Sequence, residues 1–280
     1  MKYFHYTAPT LGKLAVIGLL AGEKIESVDF KRLFFEEFEW NPEASLSVFI
    51  GDKTDPILSH MAEYFKNSLG HLLSETSSIN SDKNHTRVLK IKSPMPNVDI
   101  IMPIDLFTIN KLAIFCDISY EWAFGLQGAS AAIYKMYSTK LYAPKRDHEK
   151  LTFELSRRLP AEVNVGVLKG TQTSYIIVGE SPLLVDAAAT KIMRIPLDSI
   201  SLFERWRKTY KAWDEIRLLK IPSDLCTIHV SIFKRWTSML WRAFFAMILA
   251  FENQIDLLKR SFQNLYRVLP FIRKHILGKP

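Results

Sequence analysis

The sequence predicts an α/β fold: a mixed, partly parallel sheet with flanking helices, followed by a helical C-terminal extension. Two observations predict it. Short apolar segments alternate with segments of helical period up to about residue 200. After Pro196 the pattern changes: no glycine lies between 180 and 277, and four of the six tryptophans fall at Trp206, Trp213, Trp236 and Trp241. The chain is accordingly read as an α/β body over 1–200 and a basic helical region over 201–280.

The apolar run Leu14–Ala21 has the length of a signal-peptide core, but the preceding segment lacks the expected basic n-region, and Glu23 follows closely. A buried strand or helix is expected there. Ser45–Ile50 predicts a buried strand. Asp55 then suits an N-cap and Pro56 a first helical position, with Ile57, Met61, Tyr64, Leu69 and Leu72 on the apolar face of a helix. The polar stretch 74–86 reads as a loop. Strands are expected at Val88–Ile91, Val98–Met102 and Leu112–Ile118, the last with a short buried helix as alternative. Gly125–Gly128 leads into a small-residue helix start, Ala129-Ser130-Ala131-Ala132, which lets the helix sit close to a neighbouring backbone. The segment 145–150 reads as a loop, and Phe153–Arg158 as a helix end stopped by Pro160.

Val163–Leu168 and Thr173–Val178 predict two strands joined by Lys169–Gln172. Gly179–Pro182 turns the chain into a helix over Leu183–Met193. Phe203–Leu219 reads as one helix, broken by Pro222, with a short strand or linker over Asp224–Val230. From Ile232 onward apolar residues recur at steps of three and four, from Phe233, Trp236 and Leu240 through to Ile276, which places them on one stripe. Pro270 kinks or divides that helix near its end.

Composition narrows the function classes. With 48% hydrophobic and 24% charged residues, bulk disorder is excluded. Cys116 and Cys226 are far apart with no CxxC, so neither a disulfide framework nor a cysteine-ligated cluster is expected. No histidine pair has the i, i+4 spacing of a zinc helix, no ferredoxin-like cysteine run occurs, and neither metal nor cofactor is expected. No stretch reaches the ~18 uncharged apolar residues of a membrane span. Gly51–Thr54 lacks the spacing of a phosphate loop and reads as a plain strand-to-helix turn. Unpaired cysteines and the missing n-region predict a cytoplasmic location, with peripheral attachment at the membrane as an extension of it.

The segment 176–196 carries Gly179, Ser181, Pro182, Val185, Asp186, Ala187, Ala189 and Met193 in a strand–turn–helix arrangement. It resembles a motif of the domain of unknown function 362 family, and Ile195–Trp206 is similar to the family's continuation. Val98–Ile101 resembles the family's strand before a Lys-Thr-His segment. Ala131–Tyr137 is similar to its later lysine-bearing helix, with Lys135 in the lysine position. The Lys-Thr-His triplet itself is absent, the nearest match being Leu106-Phe107-Thr108. The resemblance implies a fold more than an activity, and any family site built on that lysine and histidine is lost here.

Read from the residues alone, Ser181 suits an N-cap, and Asp186, in the first turn or just past it, is favoured by the helix dipole. Two roles are open to Asp186: stabilising a helix start or neighbouring loop, or forming a site with Lys135 and Ser181, and with Asp117 as a further carboxylate.

The basic charge belongs to one end. Residues 201–280 hold 15 Lys and Arg against 6 Asp and Glu, whereas 1–200 hold 22 against 23. Lys234, Arg235, Trp236, Trp241, Arg242, Phe245, Lys259, Arg260 and Arg267 are the candidate contacts with a protein partner or an anionic membrane surface. Most aromatics lie on the apolar stripe rather than between the cations, so stacking on nucleic acid is not expected. The first functional reading is therefore a divergent, non-catalytic α/β protein that attaches through its C-terminal helices. The alternative is an enzyme acting on an anionic small molecule around Gly179–Asp186.

Overall fold

Alternate residues of the central strands take opposite sides of one sheet, and both sides are buried. The computed structural model describes residues 1–39, 46–50, 55–69, 73–75, 88–92, 99–103, 112–121, 125–138, 152–153, 156, 161–209, 212–231, 233, 236–237, 240 and 247, some of them by backbone alone. The expected turn at 51–54, the loop at 145–150, Leu72 and most of the C-terminal arm lie outside these residues.

The chain opens with a hairpin of β1 (Lys2–Ala8) and β2 (Gly12–Leu20). A π-helical turn at Arg32–Glu37 precedes β3 (Leu46–Ile50), α1 (Pro56–Leu69) and β4 (Leu73–Glu75). Then come β5 (Val88–Lys92), β6 (Asp99–Pro103), β7 (Leu112–Glu121), β8 (Gly125–Gln127) and α2 (Ala129–Ser138). A second hairpin, β9 (Ala161–Lys169) and β10 (Thr173–Gly179), leads into α3 (Pro182–Ile192). Two short helices follow, α4 (Ser201–Thr209) and α5 (Ala212–Leu218).

The main sheet has eight strands in the order β1-β2-β10-β9-β7-β3-β4, with β8 on β7. Its β1-to-β9 half is antiparallel, and β9, β7, β3 and β4 are parallel. The chain thus has the α/β architecture expected, with a partly parallel sheet and flanking helices. Strands β5 and β6 form a separate antiparallel pair. The expected strand at Leu112–Ile118 runs on to Glu121; of the segment expected as one helix over Phe203–Leu219, residues 203–209 and 212–218 are helical and 210–211 lie outside the described residues.

The period-2 rule sorts the core into two layers. Leu14, Val16, Ile114, Cys116, Ile118, Tyr175 and Ile177 face α2, α3, α4 and α5. Ala15, Ile17, Ala113, Phe115, Val163, Val165, Ile176 and Val178 face α1 and the π-helical turn. On that second side Phe30 stacks on Phe34 with ring centroids 5.9 Å apart and meets Tyr64 at 5.5 Å. On the first side Phe153 meets Trp206 edge-on at 5.0 Å. Phe203, Ile216, Leu219 and Leu225 share the first cluster, so packing on the sheet continues past residue 200 as far as Leu225.

Helix α3 lies close over the sheet because Gly166 of β9 has no side chain: a methyl there would overlap Ile118 and come within 3.2 Å of Val185 Cγ1. The helix ends in a Schellman motif. Ile195 N donates to Thr190 O and Arg194 N to Lys191 O, both at 3.0 Å, with Arg194 at φ 53° where glycine is usual. Arg194 holds that conformation while its Nε donates to Cys226 O at 2.7 Å, and Lys191 Nζ donates to Arg217 O at 3.2 Å and to Leu219 O. The C-terminal end of α3 thereby fastens the segment after α5.

Replacing Gly166 with alanine should cost about 1–3 kcal/mol, the usual range for overpacking a filled core. Urea unfolding would show it as a lower midpoint with unchanged slope. A midpoint equal to wild type would mean α3 is free to move off the sheet.

Candidate functional site around Asp186

The turn from β10 into α3 is built by three neighbours. Asn164, fully buried in β9, donates from Nδ2 to Gly179 O at 3.2 Å and to Glu180 O at 3.3 Å. Glu180 N donates to Lys13 O at 3.1 Å, and its carboxylate accepts Lys13 N at 3.0 Å. Gly12 makes room for that carboxylate: at φ 81° it has no Cβ, and one there would overlap Glu180 Oε2. The turn is therefore tied to both hairpins of the antiparallel half.

Ser181 occupies the N-cap of α3 with extended backbone (φ −116°, ψ 131°), and Pro182 takes the first helical position. The Ser181 side chain makes no capping bond. Its carbonyl accepts Leu184 N at 3.1 Å and Val185 N at 3.2 Å.

Asp186 is the fifth residue of α3, just past the first turn, and is 1% exposed. Its two oxygens face the start of another helix. Oδ1 accepts Ala129 N at 2.7 Å and Oδ2 accepts Ser130 N at 3.0 Å. These amides open α2 and have no partner within that helix, so the carboxylate caps α2 from outside. The cradle needs small residues. A methyl on Gly128 would overlap Oδ1, and Ala129, Ser130, Ala131 and Ala132 are all buried. Of the two roles open to Asp186 in the sequence, stabilising a neighbouring element is the one this geometry displays.

Burial pushes the Asp186 carboxyl up to about 6 from the ordinary aspartate value of 3.8, opposed by the Ser130 hydroxyl and the amides of Ser130 and Ala129. Loss of water outweighs the hydrogen bonds, as expected for a carboxylate taken wholly out of solvent.

Lys135 lies in α2, six residues beyond Ala129, or about 9 Å further along the axis. Its side chain is outside the described residues. Asp117 is half-buried on β7. Ser181 and Asp186 share α3, and Asp186 joins that helix to the one carrying Lys135. Among the candidate contacts of the C-terminal arm, Trp236 is helical and exposed. Lys234, Arg235, Trp241, Arg242, Phe245, Lys259, Arg260 and Arg267 lie outside the described residues.

Several residues that shape the site had no motif to mark them. Gly128, Asn164 and Glu180 belong to no recognised spacing. The usable signal was an aspartate within the apolar run Leu183–Ala189, since a buried acid requires donors nearby. A cavity of about 300 Å³ lies elsewhere, lined by Leu19, Gly22, Glu23, Ile57 and the β9–β10 turn. Among the described residues no group of three or more His, Cys, Asp or Glu could hold a metal ion.

Two measurements check this site. Asp186→Ala should lower stability by about 2–6 kcal/mol, because it strands two buried amides at about 1–3 kcal/mol each. The second is pH dependence. The folded protein holds the carboxyl proton up to about 6, whereas the unfolded chain releases it near 3.8. Between those values the folded state carries more protons, so raising the pH favours unfolding; above 6 the contribution levels off. Subtracting the Asp186→Asn stability curve from that of wild type should leave a component falling by about 3 kcal/mol across that window. A flat difference would mean the carboxyl is not desolvated. Comparison with family models, curated proteins and solved structures finds no match to this chain, so the reading of the site rests on its geometry.

Proposed function

We propose that this chain is a non-catalytic α/β protein, a divergent relative of the domain of unknown function 362 family, whose C-terminal helical region attaches the body to another macromolecular surface. The observation that carries the reading is a row of exposed apolar side chains. Phe233, Trp236, Leu240 and Met247 are helical and 77%, 65%, 56% and 63% exposed. At 100° per residue these positions fall within an arc of about 60°. Singly scattered exposed apolar residues need no explanation, but four at one helical phase support an interaction surface.

Kinship with the family is supported by the strand–turn–helix through Gly179, Pro182 and Asp186. The non-catalytic reading is supported by the use already made of Asp186, whose two oxygens each accept a backbone amide inside the core. The alternative, an enzyme acting on an anionic small molecule around Gly179–Asp186, has to draw on that same buried carboxylate. Among the described residues no helix is long and apolar enough to cross a membrane. The arm's sequence contains no stretch of ~18 uncharged apolar residues, and attachment through it is read as peripheral.

The test is a triple variant of the full chain, Phe233→Ser, Trp236→Ser and Leu240→Ser. An unpartnered face predicts a melting temperature within about 2 °C of wild type, since surface changes cost little, together with weaker retention on a hydrophobic column. A fall of about 10 °C or more would mean the face is packed on the body, where each large-to-small change costs about 2–5 kcal/mol. That result would overturn the reading.

A further inference from the structure

We infer that the surface taken by the exposed C-terminal face is an anionic lipid bilayer; this rests on the attachment reading above and names its partner. Two properties select a bilayer. The first is charge. Residues 231–280 contain nine Lys and Arg against only Glu252 and Asp256, whereas residues 1–200 are almost balanced. A negatively charged plane attracts such a segment along its whole length without matching any one residue.

The second is the extent and chemistry of the apolar stripe. A helix seated in a protein groove uses anchors spread over about i to i+7. Here the pattern recurs at threes and fours from Phe233 to Ile276. An interfacial helix uses all of such a stripe, because the acyl boundary is continuous. The exposed members suit that boundary: Trp236 offers a large ring with one polar N–H, and Phe233, Leu240 and Met247 offer purely apolar area. The near-neutral body would be held off the surface while the basic region lies on it.

The full chain is mixed with phosphatidylcholine vesicles, or with vesicles containing about 30% phosphatidylserine, and sedimented. Binding to the anionic vesicles should exceed binding to the neutral ones by about tenfold or more, and should fall at about 0.5 M salt, where screening shortens the reach of charge. Tryptophan emission should shift to the blue on binding. The Phe233→Ser, Trp236→Ser, Leu240→Ser variant should lose about a thousandfold in affinity, the loss expected when three large side chains no longer bury their apolar area. Equal binding to both vesicle types, or none at low salt, overturns the lipid assignment. If wild type instead proves oligomeric by light scattering and the triple variant monomeric, the lipid is overturned while attachment through this face stands. If the variant matches wild type in every assay, both fall.

Discussion

The constraint on which the rest of this structure depends is that the central strands are buried on both faces. In β2, β7, β9 and β10 a shift of register by one residue would exchange the two cores. Leu14 and Val16 would meet the residues that pack against Ala15 and Ile17, and large side chains would land where Gly166 now leaves room for α3. Register is therefore fixed by volume on two sides at once. Every helix that touches the sheet inherits its position from it, and so does the turn at Gly179.

Against that apolar frame, four acidic side chains serve as acceptors for backbone amides. Asp186 takes the opening amides of α2, and Asp55 those of Ile57 and Leu58 in α1 while also pairing with Lys169. Glu180 takes Lys13 N, and Glu215 takes Thr10 N and Leu11 N in the β1–β2 turn. Each bond satisfies a donor at a helix start or turn that secondary structure leaves open. A charge-assisted bond of this kind is stronger than a neutral one, which offsets part of the cost of taking the carboxylate out of water. For Asp186 the balance still favours the proton, because its burial is complete.

Much of the fold was legible in the sequence because period and punctuation carry it. The strands at Leu112, Val163 and Thr173, the turn at Gly179–Pro182 and the following helix all show in apolar runs bounded by Gly and Pro. The cap on α1 was equally visible in Asp55-Pro56, and Asp55 does accept the amides expected of an N-cap. What was hidden depends on pairing over distance. Strand β1, with half-exposed and exposed residues alternating, has no apolar run to announce it, and it exists by its register with β2. Strands β4 and β8 are three residues each and defined by their partners. The contact of Asp186 with Ala129 and Ser130 joins residues more than fifty apart, which no local pattern encodes.

The charge balance of the body bears on the C-terminal face. The large apolar residues Phe233, Trp236, Leu240 and Met247 each forgo about 1.5–3 kcal/mol of burial while exposed. A body with free acidic groups beside an apolar patch would attract a basic amphipathic segment and recover that energy internally. Here residues 1–200 as a whole carry a net charge of only −1. The sheet's helical face is already covered by α2, α3, α4 and α5, and its other face by α1 and the π-helical turn. The long-range attraction that would draw a basic segment back onto the body is therefore weak, while any strongly anionic surface competes for it at full charge. Near-neutrality in the body and concentrated charge in the arm are thus two sides of one arrangement, the one that the attachment proposed above would use.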